Sequence, residues 1–158
     1  MAEEKEMKQA AAVYKSLCEM LDEHEWHYKK DEEHLMIACG AQGDDLPIEI
    51  RMEVDVKRKL ITLISPMPFV VAENRRTAMA VAVSQANNGM VDGSFDYDYL
   101  GGRILFRMTS SYRDSLIGKS LLNYMLMCSC FTIDRYNDKF LMVAKNDMSV
   151  EEILNFIE

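Results

Sequence analysis

Between residues 48 and 57 the chain alternates without a fault. Ile48, Ile50, Met52, Val54 and Val56 fall on one side, and Glu49, Arg51, Glu53, Asp55 and Lys57 on the other. A period of two is that of a β-strand with one face on a core, so the charged face looks toward water or a partner. Upstream the period changes. Residues 3–22 place Met7, Ala10, Ala11, Tyr14, Leu17, Cys18 and Leu21 at spacings of three and four, which predicts an amphipathic first helix. Trp26 and Tyr28 then alternate with polar residues and 34–41 is apolar, which predicts a first strand bent near Asp31 and ending at Gln42-Gly43-Asp44-Asp45. Residues 60–64 return as a third strand after a loop of two or three residues, and Pro66 and Pro68 stop it.

Residues 72–88 are rich in alanine, valine and methionine and predict a second helix whose apolar surface is wider than one stripe, ended by Gly89. Gly93 opens a hairpin that turns at Gly101-Gly102. With those glycines as the loop, Tyr99 faces Ile104, Tyr97 faces Phe106, Phe95 faces Met108 and Asp96 faces Arg107. A long helix begins near Ser115 and continues as far as Ala144. Its segment 121–127 is apolar nearly all round, so it is either sandwiched inside the domain or presented to another chain. Ser149 and Glu152 form a capping box for a short last helix carrying Val150, Ile153, Leu154 and Ile157 on one side. The expected architecture is a single α+β domain over 1–158. It has a five-stranded antiparallel sheet in the order α-βββ-α-ββ-α(-α), with helices mainly on one face.

Composition narrows the function classes. The chain has 158 residues and a formal charge of −8, so its surface repels nucleic-acid phosphates unless a basic patch is segregated. Lys57-Arg58-Lys59 is the one dense basic run, and it falls where a hairpin turn is expected. The N-terminus lacks a basic region followed by an apolar core, and the longest apolar run falls short of the ~20 residues that span a bilayer. Cytoplasmic residence is expected, with no membrane contact. Cys18, Cys39, Cys128 and Cys130 sit in apolar contexts that suit reduced, buried thiols.

No set of residues points to a reaction. His24-Glu25-Trp26-His27 has histidines three apart, whereas the helical zinc motif needs them four apart, so an exposed helix end is expected there. Cys128 and Cys130 would lie about 200° apart on a helix, which disfavours a disulfide between them. Glu73, Asp96 and Asp98 could cluster if the second helix met the hairpin, but ion pairing of Asp96 with Arg107 is the better reading. No catalytic residue, metal or cofactor is assigned. The 13 methionines are the compositional excess: Met36, Met52 and Met108 fall on core positions, and Met125 and Met127 on the helix that is apolar all round.

Several short stretches carry a resemblance. Ser65-Pro66 closes the third strand, Glu73-Asn74-Arg75 opens the second helix, Asn87-Asn88 precedes Gly93-Ser94-Phe95, and Ile104-Leu105-Phe106-Arg107 fills the last strand. In this order of elements the chain resembles the YbjN-like domain, a bacterial family assigned to sensory transduction regulation. That family is similar in turn to class I chaperones of type III secretion systems, small acidic dimers that hold an extended segment of a client. The resemblance implies a non-enzymatic, protein-binding or chaperone-like regulator with no cofactor. An enzyme whose site spacing does not reveal is the alternative, and a nucleic-acid-binding regulator the weakest reading.

Two surfaces are candidates for holding a client: apolar surface lined by Met125 and Met127, or the sheet face carrying Glu49, Arg51, Glu53 and Asp55. Ala78, Ala82 and Ala86 would let the second helix approach a twin closely, which makes a homodimer the expected assembly.

Overall fold

The computed structural model describes residues 1–158 and is an α+β fold with one antiparallel sheet and four helices. The elements run α1 (Ala2–Glu23), β1 (Tyr28–Asp31), β2 (Met36–Gln42), β3 (Pro47–Asp55), β4 (Leu60–Pro66), a tight helical turn (Glu73–Arg75), α2 (Arg76–Asn87), β5 (Ser94–Asp98), β6 (Arg103–Ser111), α3 (Lys119–Lys145) and α4 (Val150–Ile157). The sheet order is β1-β2-β3-β4-β6-β5. It has six strands rather than five, because the bend anticipated near Asp31 is a full reversal and β1 pairs with β2 from Tyr28 opposite Cys39 to Asp31 opposite Met36.

The helices cover one face. α3 lies across β3, β4 and β6, α1 packs against α3 and β3, α2 against α3 and β5, and α4 against α2 and α3. Their apolar sides meet Ile37, Ile50, Met52, Val54, Leu63 and Phe106 of the sheet in one continuous core. Burial of this alternating face fixes which side of each strand is inward, since a one-residue slip would turn Glu49, Arg51 and Glu53 into it. α1 ends through Glu25 at φ 58, which lets Trp26 N–H reach Leu21 O at 2.9 Å. At the other end of the chain the Ser149–Glu152 capping box opens α4 as expected. α3 starts at Lys119, after Gly118, four residues later than its apolar pattern suggested.

Three hairpins share one loop. In each, an aspartate closes the first strand, four residues follow, and the fourth sits at positive φ: Leu35 at 52°, Lys59 at 56° and Gly102 at 69°. The flanking pairs are Asp31 with Met36, Asp55 with Leu60 and Asp98 with Arg103. The aspartate carboxylates accept from His34 N–H (3.1 Å), Arg58 N–H (2.8 Å) and Gly101 N–H (3.0 Å), which stabilises the turn from inside. This corrects two registers. The β3–β4 loop has four residues, not two or three. In the last hairpin Phe95 faces Phe106 and Tyr97 faces Ile104, a shift of two residues that puts Tyr99 and Leu100 into the loop. Asp96 still pairs with Arg107, diagonally, at 2.8 Å.

Only glycine enters the positive-φ region freely, and an L-residue there costs about 1 to 2 kcal/mol. Lys59 is the loop residue that can be exchanged with least collateral loss, because its ion pair with Glu6 at 3.5 Å is partly exposed. Lys59→Gly should therefore raise stability by about 0.5 kcal/mol. A rise in the urea midpoint at unchanged slope checks it.

The two edges of the sheet differ. Asn87, the last residue of α2, donates to Phe95 O (2.9 Å) and accepts from Phe95 N–H (2.8 Å), so its side-chain amide takes both outward backbone groups of that β5 residue. β1 pairs only with β2, and its other edge takes no partner from within the chain.

Candidate functional site

With every helix on one side, the opposite face of the sheet is uncovered. Its side chains are set by the cross-strand register. One row runs Lys29, Ala38, Arg51, Ile64, Arg107 and Ser94 across the six strands. Beyond it Gly40 pairs with Glu49, and Leu105 with Pro66 and Asp96, and on the other side come Asp31, Met36, Glu53, Thr62 and Thr109. Met36, Ile64 and Leu105 are half-buried although no element packs over them, so charged side chains border an apolar floor. Two shallow depressions lie on this face. One of about 510 Å³ has Ala38 and Gly40 between Lys29, Glu49 and Arg51, and one of about 420 Å³ lies between Arg51, Pro66, Phe69, Val70 and Arg103.

Of the residues singled out from the sequence, Glu49, Arg51, Glu53 and Asp55 come together on this uncovered face. Asp55 is engaged in its hairpin, whereas Glu49, Arg51 and Glu53 enter no ion pair. The helix candidates do not form one surface. Met125 is fully buried while Met127 is at the surface, 36% exposed. Ala82 and Ala86 lie in the core and Ala78 is half-buried beside them, so α2 turns its small residues inward to its own chain. The outward stripe of α3 is Leu121, Tyr124, Met127 and Phe131, the last 71% exposed, and the Tyr124 hydroxyl donates to Asp92 next to the exposed Val91. The contributions of Lys29, Ala38, Gly40, Ile64 and Leu105 were hidden in the sequence. They follow only from the pairing of β1, β2, β4 and β6.

The chemistry of the remaining candidates is structural. His24 closes α1, with its Nδ1 2.9 Å from Met20 O, and His27 stands apart at the start of β1. All four cysteines are free. Burial, with Cys130 nearby, pushes the Cys39 thiol up to about 12, and burial beside Asp134 pushes Cys130 up to about 11, so both stay protonated at neutral pH. Asp31 is held below the usual carboxylate range by its hydrogen bond to the His34 ring, which is itself raised by the same contact.

Solved structures share this fold. Crystalline YbjN, a proposed transcription regulator from E. coli, superposes with a TM-score of 0.56 at 10% identity, over 83% of this chain and 87% of that one. The ExsC–ExsE complex gives 0.58 at 13% identity, over 82% and 93%. The HopA1–SchA chaperone–effector complex gives 0.52 at 10% identity, over 82% and 96%. This is a YbjN-like, chaperone-like fold. No family model and no curated protein matches the sequence, so the likeness lies in the fold alone. No helix of the chain is long and apolar enough to cross a membrane.

Proposed function

We propose that this chain is a non-enzymatic, chaperone-like regulatory domain of the bacterial cytoplasm that holds an extended protein segment. The observation that carries this reading is the uncovered sheet face, where half-buried Ile64 and Leu105 lie among charged side chains with nothing packed over them. Two solved structures of the same fold are complexes with protein partners, which supports a protein as the occupant. Photo-crosslinking side chains placed in cells at Thr62 and Thr109, in the middle of that face, should capture a client identifiable by mass spectrometry. Captured clients should bind less tightly as salt rises, because charges border the apolar floor. Adducts formed only from Met127 would move the site to the helices. An absence of adducts from all three positions would remove the chaperone reading.

The domain acts as a homodimer through the outer stripe of α3. Leu121, Tyr124, Phe131 and Val91 make an apolar patch that the chain itself leaves open, and such patches mark contacts. Light scattering should give twice the 18.2 kDa of one chain, and Phe131→Glu should return it to one chain while leaving the fold intact. A single-chain mass for the unsubstituted protein across the micromolar range would refute the dimer.

A further inference from the structure

Gly40 occupies the middle of β2, and the fold does not require a glycine there. Its φ is not positive, and an added Cβ would meet only Ile48 O, at 3.4 Å. The β2–β3 register runs unbroken from Met36 opposite Glu53 to Gln42 opposite Pro47, so there is no bulge either. A glycine inside a strand weakens it and marks a bulge, a tight bend or a close approach by another backbone. With the first absent, what distinguishes Gly40 is the bare backbone it exposes on the uncovered face, beside the exposed methyl of Ala38.

The walls of this trough say what it fits. Lys29 and Arg51 flank Ala38 directly in register, and neither enters an ion pair within the chain. Glu49 stands opposite Gly40, so the cationic position is confined to the Ala38 row and the glycine row repels acid. Arg51 also lines the second depression, whose other walls include Phe69 and the exposed Val70. The two depressions therefore adjoin across one arginine. Strands lie about 4.8 Å apart and an extended chain advances about 3.3 Å per residue, so a segment crossing from one to the other spans a few residues.

We propose that this trough seats an extended segment of a protein partner, with its backbone lowered onto Gly40, an acidic side chain between Lys29 and Arg51, and an apolar side chain in the neighbouring depression. The proposal rests on the uncovered face being the client surface and specifies what that surface reads. It is the charge of the walls that selects the occupant: an acidic side chain over Ala38 gains two unpaired cations, in a molecule whose overall charge is negative.

A random library of short linear peptides panned on the purified protein tests this directly. Enriched peptides should carry Asp or Glu with an apolar residue within about four positions. They should shift the amide resonances of Ala38 and Gly40 and lose at least about tenfold in affinity to Arg51→Glu and Gly40→Val. Both positions are exposed, and Gly40→Ala, whose methyl has room, serves as the variant that must keep the fold. Enriched peptides without an acid, equal binding to Gly40→Val in a folded protein, or no enrichment would each overturn the proposal. So would a second copy of the chain in the trough, seen as a mass change that Gly40→Val abolishes. If crosslinks from Thr62 persist in both variants, the trough is wrong and the sheet face still holds the client.

Discussion

Truncation of Phe140 to alanine should lower the unfolding free energy by about 3 to 5 kcal/mol, against about 5 to 15 kcal/mol for a domain of this kind. The ring is fully buried and joins α3 to β5. Its centroid lies 4.9 Å from that of Phe95 at 88°, and 6.0 Å from that of Tyr136 at 22°. Phe95 in turn meets Phe106 edge-on at 5.2 Å. Removing Phe140 therefore leaves a cavity between α3 and the β5–β6 hairpin and deprives Phe95 of an edge-to-face neighbour, worth about 0.5 to 1.5 kcal/mol beyond burial. A double-mutant cycle with Phe95→Leu separates that coupling from the cavity. A total loss below about 1.5 kcal/mol in urea unfolding would mean that the aromatic cluster is not packed as described.

Gly102→Ala should cost about 2 to 3 kcal/mol, combining the positive-φ penalty with loss of a backbone contact. Gly102 has φ 69°, and an added Cβ would lie 2.3 Å from Val71 O. It cannot move away freely, because Val71 N–H donates to Gly102 O at 2.8 Å and Arg76 donates to Leu100 O at 2.5 Å in the same loop. Gly89 supplies the comparison. Its φ is 79° but nothing lies within 4 Å of its added Cβ, so Gly89→Ala carries the conformational penalty alone, about 1 kcal/mol. Equal losses at the two glycines, measured by thermal or urea unfolding, would show that the Val71 contact yields without resistance.

The sequence made the faces of most strands legible and left the turns obscure, for one physical reason. Side chains in a strand repeat every two residues, so the hydrophobic pattern fixes parity and is blind to a shift of two. Met36, read as a core position, lies opposite Glu53 on the uncovered face, because the turn before it set the parity of β2. Tyr97 and Phe95 were correctly placed inward, yet their partners were each read two positions off. The division of β1 from β2 was hidden because Asp31-Glu32-Glu33-His34-Leu35 contains no glycine, and Leu35 adopts positive φ without one. A signal was present nonetheless: Asp31, Asp55 and Asp98 each stand four positions before the positive-φ residue and close the same loop. On α3, Met125 and Met127 could not both face a partner, since two residues are about 200° of rotation. Ala38 and Gly40 are small residues in an otherwise apolar strand, and their meaning appears only once Lys29 and Arg51 are known to flank them.

A continuous intermolecular sheet requires every molecule to offer two acceptor edges, one to receive a strand and one to be received. Here Asn87 has already taken both outward backbone groups of Phe95 in β5 with its own amide, whereas no side chain engages the outer edge of β1 in this way. Strand addition to the folded chain is accordingly easier at β1, where a second molecule can meet it β1 to β1, than at β5. A second step of polymerisation at β5 has to displace Asn87 from Phe95. Any filament of this protein must begin with chains in which the Asn87–Phe95 seal has first opened, so its lag time should shorten when Asn87 alone is replaced.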